Sequence, residues 1–91
     1  MIKVNVKNLA VFKTVPNPLE ISVPMRTDLA GFICRVSEFY PEFNNMLIKD
    51  DGFNDQICIF RNGTSILQQK GLGTILEDCD ELYIFPVIHG G

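Results

Sequence analysis

The stretch from Thr27 to Pro41 restricts the possible folds of this chain more than any other part of the sequence. Its apolar residues recur at intervals of three and four, which places them on one face of a helix: Leu29, Phe32, Ile33, Val36, Phe39 and Tyr40. Thr27 is the predicted N-cap, and Asp28 at the first helical position favours the positive end of the helix dipole. Pro41 disfavours helical backbone at the residue before it and ends the helix. Such an amphipathic helix requires a second layer, here a sheet, to cover its apolar face.

The segments before this helix predict that sheet. Apolar and polar residues alternate through residues 2–7 and again through residues 19–24, the period-two pattern of half-buried strands. Pro16-Asn17-Pro18 between them has the composition of a turn. The two strands are therefore predicted to form an antiparallel hairpin.

The connection after the helix is less regular. Phe43, Met46, Leu47 and Ile48 favour a short helical turn that packs on the core. Asp50-Asp51-Gly52 and Asn54-Asp55 indicate a loop over residues 50–55. The apolar run 57–60 is typical of a buried strand.

A second hairpin and an acidic turn follow. Asn62-Gly63 favours a type I′ turn, and the chain is expected to return as a short edge strand over residues 64–67. The acidic residues within 77–81 are interpreted as a solvated turn, which leads into a last strand beginning at Leu82. Two strands, a helix and further strands make an α+β pattern. If the last strand lies parallel to the first, it occupies the middle of the sheet.

Composition and charge exclude several classes of function. The chain has 91 residues, is 46% hydrophobic and has a net charge of −3, as expected for one globular domain. Its basic residues are scattered, so no nucleic-acid partner is expected. No apolar run is long enough to span a membrane, and the first residues resemble a strand and not a signal peptide, so we expect no membrane partner and a cytoplasmic location.

The potentially reactive side chains suggest no catalytic or metal site. Cys34, Cys58 and Cys79 are far apart in the sequence and odd in number, which indicates neither a disulfide framework nor a metal knuckle. Their roles stay open. His89 is the only histidine, and we interpret it as a polar spacer.

The last stretch carries the strongest functional signal. Residues 82–87 form an apolar strand, and the tail after it closes on Gly90-Gly91, two residues without a Cβ. Side chains alternate between the faces of a strand, so if Leu82 and Ile84 face the helix, Tyr83 and Phe85 face outward. The outward aromatic pair would then dock a partner beside the tail.

Several motifs give the whole chain a resemblance to the β-grasp sulfur carriers, which include the small subunit of molybdopterin synthase, the ubiquitin-like small archaeal modifiers and sulfur carriers of tRNA thiolation. The motifs are Thr27-Asp28-Leu29, Phe39-Tyr40-Pro41-Glu42-Phe43, Phe60-Arg61-Asn62-Gly63, residues 71–82, and Phe85-Pro86-Val87-Ile88-His89-Gly90-Gly91. Two positions depart from the family pattern. Cys79 stands where glycine is usual, and Val87 stands where a second proline is usual.

The resemblance implies a mixed sheet of four to five strands packed on one main helix. Residues 1–87 would form the ubiquitin-like domain and residues 88–91 a flexible diglycine tail, with Ile88 and His89 before the reactive end. Tyr83, Phe85, Pro86 and Val87 would form the partner-docking surface. The chain would have no catalytic residue, metal or bound cofactor of its own.

The chemistry implied by the resemblance takes place in a partner. An E1-like enzyme would use ATP to adenylate the Gly91 carboxylate, and a persulfide would convert the adenylate into a thiocarboxylate. The thiocarboxylate would donate sulfur, or the activated carboxyl group would join the amine of a target-protein lysine. The sulfur acceptor stays open among a molybdopterin precursor, a tRNA uridine and a thiazole intermediate.

Two alternatives stay open at this point. In the first alternative, the chain is a dedicated small subunit whose tail remains inserted in a molybdopterin synthase large subunit or another sulfur-accepting enzyme. In the other alternative it is a plain β-grasp interaction module whose diglycine has no function.

Overall fold

The computed structural model describes residues 1–8, 11–50 and 52–87 of the chain. The strands in this part are β1 (Ile2–Asn8), β2 (Leu19–Val23), β3 (Ile48–Lys49), β4 (Gly52–Phe53), β5 (Ile57–Arg61), β6 (Thr64–Ser65) and β7 (Asp80–Pro86). The α-helices are α1 (Leu29–Ser37) and α2 (Pro41–Leu47), and two 3₁₀ helices cover Ile66–Gln68 and Gly71–Gly73.

Five of the strands form one mixed sheet in the order β2-β1-β7-β5-β6. β1 pairs antiparallel with β2 and parallel with β7, and β7 pairs antiparallel with β5. The last strand therefore lies in the middle of the sheet beside the first, as predicted. This architecture confirms the predicted α+β fold with a five-stranded mixed sheet.

The core lies between the sheet and the two α-helices. Period-two alternation in β1 buries Ile2, Val4 and Val6, and the apolar face of α1 is buried against the sheet as predicted. Phe32 of α1 and Phe43 of α2 are both about fully buried and meet edge to face, with ring centroids 6.4 Å apart. Burial of one such ring contributes roughly 1.5–3 kcal/mol, so this aromatic pair helps to hold the two helices together.

The N-terminus of α1 is capped by Asp28, so the prediction of Thr27 as the N-cap is wrong. The Asp28 carboxylate accepts a hydrogen bond of 2.7 Å from the Gly31 amide. Thr27 instead donates its hydroxyl to the carbonyl oxygen of Pro24, at 2.6 Å. Because Thr27 belongs to the turn that leaves β2, its hydroxyl serves that turn, and the helix begins one residue later.

Phe39 is not part of the buried helix face, contrary to the helical spacing. The helix ends at Ser37, and the backbone at Tyr40 has left helical geometry, as expected for the residue before Pro41. Phe39 is 56% exposed, and the guanidinium of Arg35 lies 5.1 Å from its ring centroid. Because the helix ends before Phe39, the side chain of Phe39 does not continue the buried face to which Val36 belongs.

Two further expectations need correction. The region predicted as a loop over residues 50–55 contains β4, which pairs with β3 in a small antiparallel sheet. The expected edge strand over residues 64–67 stops at Ser65, whose hydroxyl oxygen accepts a hydrogen bond from the Leu67 amide and starts a 3₁₀ helix. The side chain of Ile66, in the first position of that turn, is buried in the core.

The type I′ turn predicted at Asn62 and Gly63 agrees with the backbone of the structure. Their φ angles are 50° and 89°, both positive as a type I′ turn requires. The turn joins β5 and β6 at the end of the sheet where β7 begins.

The connection between β1 and β2 is fastened to α2 by one carboxylate. Glu42 accepts hydrogen bonds from the amides of Lys13 and Thr14, at 2.6 Å and 3.0 Å, and Phe12 stacks on Phe43 with ring centroids 5.1 Å apart. The hydrogen bonds, first that from the Thr14 amide, lower the pKa of Glu42 below its ordinary value of 4.5. The ionised carboxylate therefore stabilises this connection.

Glu42→Gln is expected to lower the thermal unfolding midpoint at neutral pH, because the neutral amide accepts hydrogen bonds less strongly than a carboxylate. The folded-state pKa of Glu42 is depressed, so its contribution is present above the unfolded pKa and is lost as pH falls through the folded pKa. The difference between wild type and variant should therefore shrink below about pH 4.5. Thermal unfolding across a pH series checks this, and a constant difference would contradict it.

Candidate functional site

The end of β7 is held firmly up to the last residue that the structure describes there. Pro86 lies opposite Ile57 in the β5–β7 ladder, and the Val87 amide donates a hydrogen bond of 2.9 Å to the Gln56 carbonyl. Proline has no N–H group, so the valine at position 87 permits a bond that the usual second proline of the family could not make. The departure at Val87 thus fastens this end of the strand to its neighbour.

The predicted reactive end lies beyond this point. Ile88, His89, Gly90 and Gly91 are outside the described residues, and so is the predicted flexible tail over residues 88–91. The boundary after Val87 and the roles of these four residues stay predictions.

The inside–outside phase of β7 is as predicted. Leu82 and Ile84 are 0% and 1% exposed on the helix side of the sheet. Tyr83 and Phe85 lie on the opposite side and are partly exposed. The orientation of the aromatic pair is therefore confirmed, whereas its role in docking a partner stays a prediction.

A larger aromatic surface surrounds this pair. We call it the outer face, formed by Lys7, Cys58, Phe60, Tyr83 and Phe85. In the ladder between β5 and β7, Phe60 lies opposite Tyr83 and Cys58 opposite Phe85. The rings of Phe60 and Phe85 are 5.4 Å apart between centroids, so the aromatic surface is continuous across two strands.

The sequence does not indicate Phe60 as part of this surface, because Phe60 lies in an uninterrupted apolar run typical of a buried strand. In the structure Ile57 and Ile59 are buried, whereas Cys58 and Phe60 are partly exposed. Period-two alternation along β5 would have indicated that Phe60 faces away from the core, provided that β5 was known to lie beside β7.

Lys7 adds a positive charge to the outer face. Its Nζ lies 5.4 Å from the centroid of the Tyr83 ring and 3.4 Å from the phenol oxygen, and it donates to that oxygen. The Tyr83 hydroxyl in turn donates to Glu81 at 3.4 Å. These contacts orient the ring before any partner binds, which reduces the entropy lost on binding.

The opposite end of β7 is held by a partly buried ion pair. Nε of Arg61 donates to Oδ2 of Asp80 at 2.6 Å, and Asp80 also accepts from the Glu77 amide at 2.8 Å and from Asn62 Nδ2 at 2.9 Å. The interpretation of this turn as fully solvated is therefore wrong for Asp80, which is 4% exposed. The pairing partner, Arg61, is distant in sequence and could not be read from the acidic run.

The pKa values of this pair follow from the contacts. Burial raises the pKa of Asp80, but the hydrogen bonds from Arg61, the Glu77 amide and Asn62 outweigh burial, so the pKa lies below its ordinary value of 3.8. The hydrogen bond to Asp80 raises the pKa of Arg61. Both groups are charged at neutral pH, and they fix the start of the central strand.

Cys79 in the same turn has a φ angle of 67°. This is the left-handed conformation that glycine adopts most easily, and the family pattern has glycine at this position. The cysteine therefore carries strain on the order of 1 kcal/mol in this turn.

All three cysteines are free, with Cys34 and Cys79 exposed. Among residues 1–8, 11–50 and 52–87, no three His, Cys, Asp or Glu side chains lie close enough together to hold a metal ion.

Neither α1 nor α2 nor any other helix in the described ranges has the length and apolar character needed to cross a bilayer.

Comparison with solved structures identifies the architecture. Small archaeal modifier protein 1 from Methanosarcina acetivorans superposes with a TM-score of 0.79 at 25% identity, covering 100% of this chain and 98% of that one. A chain of the Amycolatopsis orientalis BexX/CysO complex gives 0.82 at 21% identity, with 97% and 99% covered. A Pyrococcus furiosus protein assigned as molybdopterin converting factor, subunit 1, gives 0.74 at 21% identity, with 97% and 100% covered.

No protein-family model matches the sequence, and a sequence search of curated proteins finds no match. The fold and the position of the C-terminal strand define the class: the chain is a ubiquitin-like β-grasp protein. Within that fold, its structural neighbours are small modifier proteins, CysO and a molybdopterin converting factor subunit, which agrees with the resemblance seen in the sequence.

Proposed function

We propose that this chain is a ubiquitin-like sulfur carrier whose Gly91 carboxylate is activated by an E1-like enzyme. The observation that carries the proposal is the position of the diglycine, which follows shortly after a central β7 strand held on both sides and at Val87. The same fold in small archaeal modifier protein 1 and in the BexX/CysO complex supports it.

The chemistry requires the partner to supply the catalytic groups. A carboxylate oxygen of Gly91 attacks the α-phosphorus of ATP, and pyrophosphate leaves. A persulfide sulfur then attacks the acyl carbon and AMP leaves, and a thiol cleaves the resulting acyl disulfide to give the thiocarboxylate. This chain's task is to present a narrow tail and to dock its body, so it acts as a substrate and not as an enzyme.

Docking is assigned in this proposal to the outer face. Aromatic side chains on a rigid sheet are typical anchors of protein interfaces, and Tyr83 is already oriented by Lys7 and Glu81. The face lies on the strand that leads into the tail, so a partner that binds it also receives the diglycine. Whether the sulfur goes to a molybdopterin precursor, a tRNA uridine or another acceptor depends on the later partner, as does conjugation to lysine.

Intact mass spectrometry tests the proposal. The chain is incubated with the E1-like enzyme of the same host, ATP, a persulfide donor and a thiol, and we expect a mass increase equal to replacement of one oxygen by one sulfur at Gly91. In cells, an isopeptide remnant on another protein would show conjugation. A free carboxylate throughout, with an enzyme that activates other such tails, would overturn the proposal.

Phe85→Ser is expected to weaken binding to the E1-like enzyme by about 10- to 100-fold, because it removes a central aromatic anchor and its contact with Phe60. Isothermal titration with the purified enzyme measures the effect, and circular dichroism confirms that the variant is folded. Leu67→Ser is the matched control, since Leu67 is 76% exposed and lies outside the outer face. Equal losses in both variants would argue against docking through the outer face.

A further inference from the structure

A second surface lies at the end of the sheet opposite the tail. A groove of about 290 Å³ runs between the turn that leaves β2, at Met25 and Arg26, and the extended segment 75–78 that precedes β7. Ile2 and Leu76 form its buried floor, at 7% and 2% exposed. The strand β7 runs from this end at Asp80 to the tail end at Pro86, so the groove and the outer face can be occupied independently.

The walls of the groove present apolar side chains to solvent. Met25 is 72% exposed and Ile75 is 49% exposed, although both are large apolar residues. The backbone on either side of Ile75 is fixed, because the Leu29 amide donates to the Thr74 carbonyl and the Leu76 amide donates to the Thr27 carbonyl, each at 2.9 Å. Thr74 and Leu76 are therefore buried, and Ile75 between them is held in an outward position.

Charges border the groove on both sides. Arg26 lies on one bordering segment, and Glu77 and Asp78 lie on the other. Glu77 is paired with Arg61 at 3.2 Å, whereas neither Arg26 nor Asp78 takes part in an ion pair in the part of the chain that the structure describes. Arg26 also has a φ angle of 69°, a strained conformation for a residue with a Cβ, and such strain tends to be found at binding sites.

The size of the groove selects the kind of occupant. A stable dimer buries roughly 800 Å² on each partner, far more than two exposed apolar side chains and their surroundings supply. A short linear segment needs only one apolar anchor and polar contacts around it.

We propose that this groove binds a short segment of a partner protein in which one aliphatic side chain is flanked by a basic residue and an acidic residue. The aliphatic side chain contacts Ile75 and Met25. The basic residue pairs with Asp78 and the acidic residue with Arg26, so charge sets the direction in which the segment lies. A modifier attached through its tail would present this groove outward, at the far end of the domain.

Two acetylated and amidated peptides test the proposal, Gly-Lys-Leu-Glu-Gly and its reversed-charge counterpart Gly-Glu-Leu-Lys-Gly. Each is titrated into the ¹⁵N-labelled full chain, and amide shifts are followed by NMR. We expect one peptide to shift the signals of residues 25–26 and 75–78 and to bind at least about 5-fold more tightly than the other. Ile75→Ser should weaken the preferred peptide by at least about 10-fold.

Charge variants and a matched surface variant complete the test. Asp78→Asn keeps an acceptor for the Lys3 amide, which Asp78 now binds at 2.8 Å, so the fold is retained. This variant and Arg26→Gln should each reduce the preference between the two peptides, whereas Leu67→Ser should leave binding unchanged.

Three outcomes would overturn the proposal. Equal binding of both peptides, with no effect of Asp78→Asn or Arg26→Gln, would mean that charge does not define the ligand. Shifts confined to the outer face would place binding elsewhere. Concentration-dependent shifts of the groove signals without peptide would mean that a second copy is the occupant. None of these outcomes involves Gly91, so the sulfur-carrier proposal is tested separately.

Discussion

Removal of Gly90 and Gly91 is expected to reduce adenylation of the chain by the E1-like enzyme to background. The reaction occurs at the carboxylate of Gly91, which the truncated chain lacks. The truncated chain would end at His89, whose side chain is bulkier than the glycine that has to enter a narrow active site. ATP–pyrophosphate exchange catalysed by the enzyme measures the loss. This is the largest functional effect that the proposal predicts.

The same truncation should leave stability unchanged, which separates loss of chemistry from loss of fold. All core residues described in the structure lie before position 85, and among the described residues the end of β7 is fastened by the hydrogen bond from the Val87 amide. Thermal unfolding of the truncated chain should therefore match wild type. Extension of the chain by one alanine after Gly91 is a second control and should also block exchange. Normal exchange with the truncated chain would leave a β-grasp interaction module as the better interpretation.

Asp80→Asn is expected to lower the free energy of unfolding by about 3 kcal/mol. Asp80 accepts three hydrogen bonds through its two oxygens, from Arg61, Glu77 and Asn62. An asparagine keeps one acceptor oxygen and turns its NH₂ group toward a donor, and it leaves the guanidinium of Arg61, 18% exposed, without its closest counter-charge. Urea denaturation of the variant measures the cost.

Glu77→Gln is the matched control for this prediction. Glu77 contacts the same guanidinium at 3.2 Å, but its side chain is 78% exposed, so the substitution should cost less than about 1 kcal/mol. The pKa of Asp80 is lowered in the folded state, so its contribution is present above the unfolded pKa near 3.8 and is lost as pH falls through the folded value. Equal costs for Asp80→Asn and Glu77→Gln would show that burial of the pair has no energetic consequence.

The outer face, to which we assign docking, was predictable in part. Alternation along β7 predicted the outward side chains of Tyr83 and Phe85, because the two faces of a strand are set by its local backbone. The sequence did not predict that Lys7 and Phe60 belong to the same surface. They come from β1 and β5, and only the pairing of those strands with β7 places them there.

The sequence by itself determined the features that depend on neighbouring residues along the chain. These are the amphipathic face of α1, the positive φ angles at Asn62-Gly63, the helix end before Pro41, and the alternation within β1 and β7. Each follows from backbone sterics or from side-chain periodicity, and neither depends on what lies across the fold.

The tertiary structure decided the features that depend on contacts between distant residues. Asp80 is buried because Arg61 and Asn62 reach it from the neighbouring strand and turn, and Ile75 is exposed because hydrogen bonds to residues 27–29 hold its backbone. Asp80 stands in an acidic run and Ile75 in an apolar run, so their neighbours in the sequence do not indicate these environments. Burial of a charge depends on its partner, and exposure of an apolar group depends on the backbone that holds it, so both required the complete fold.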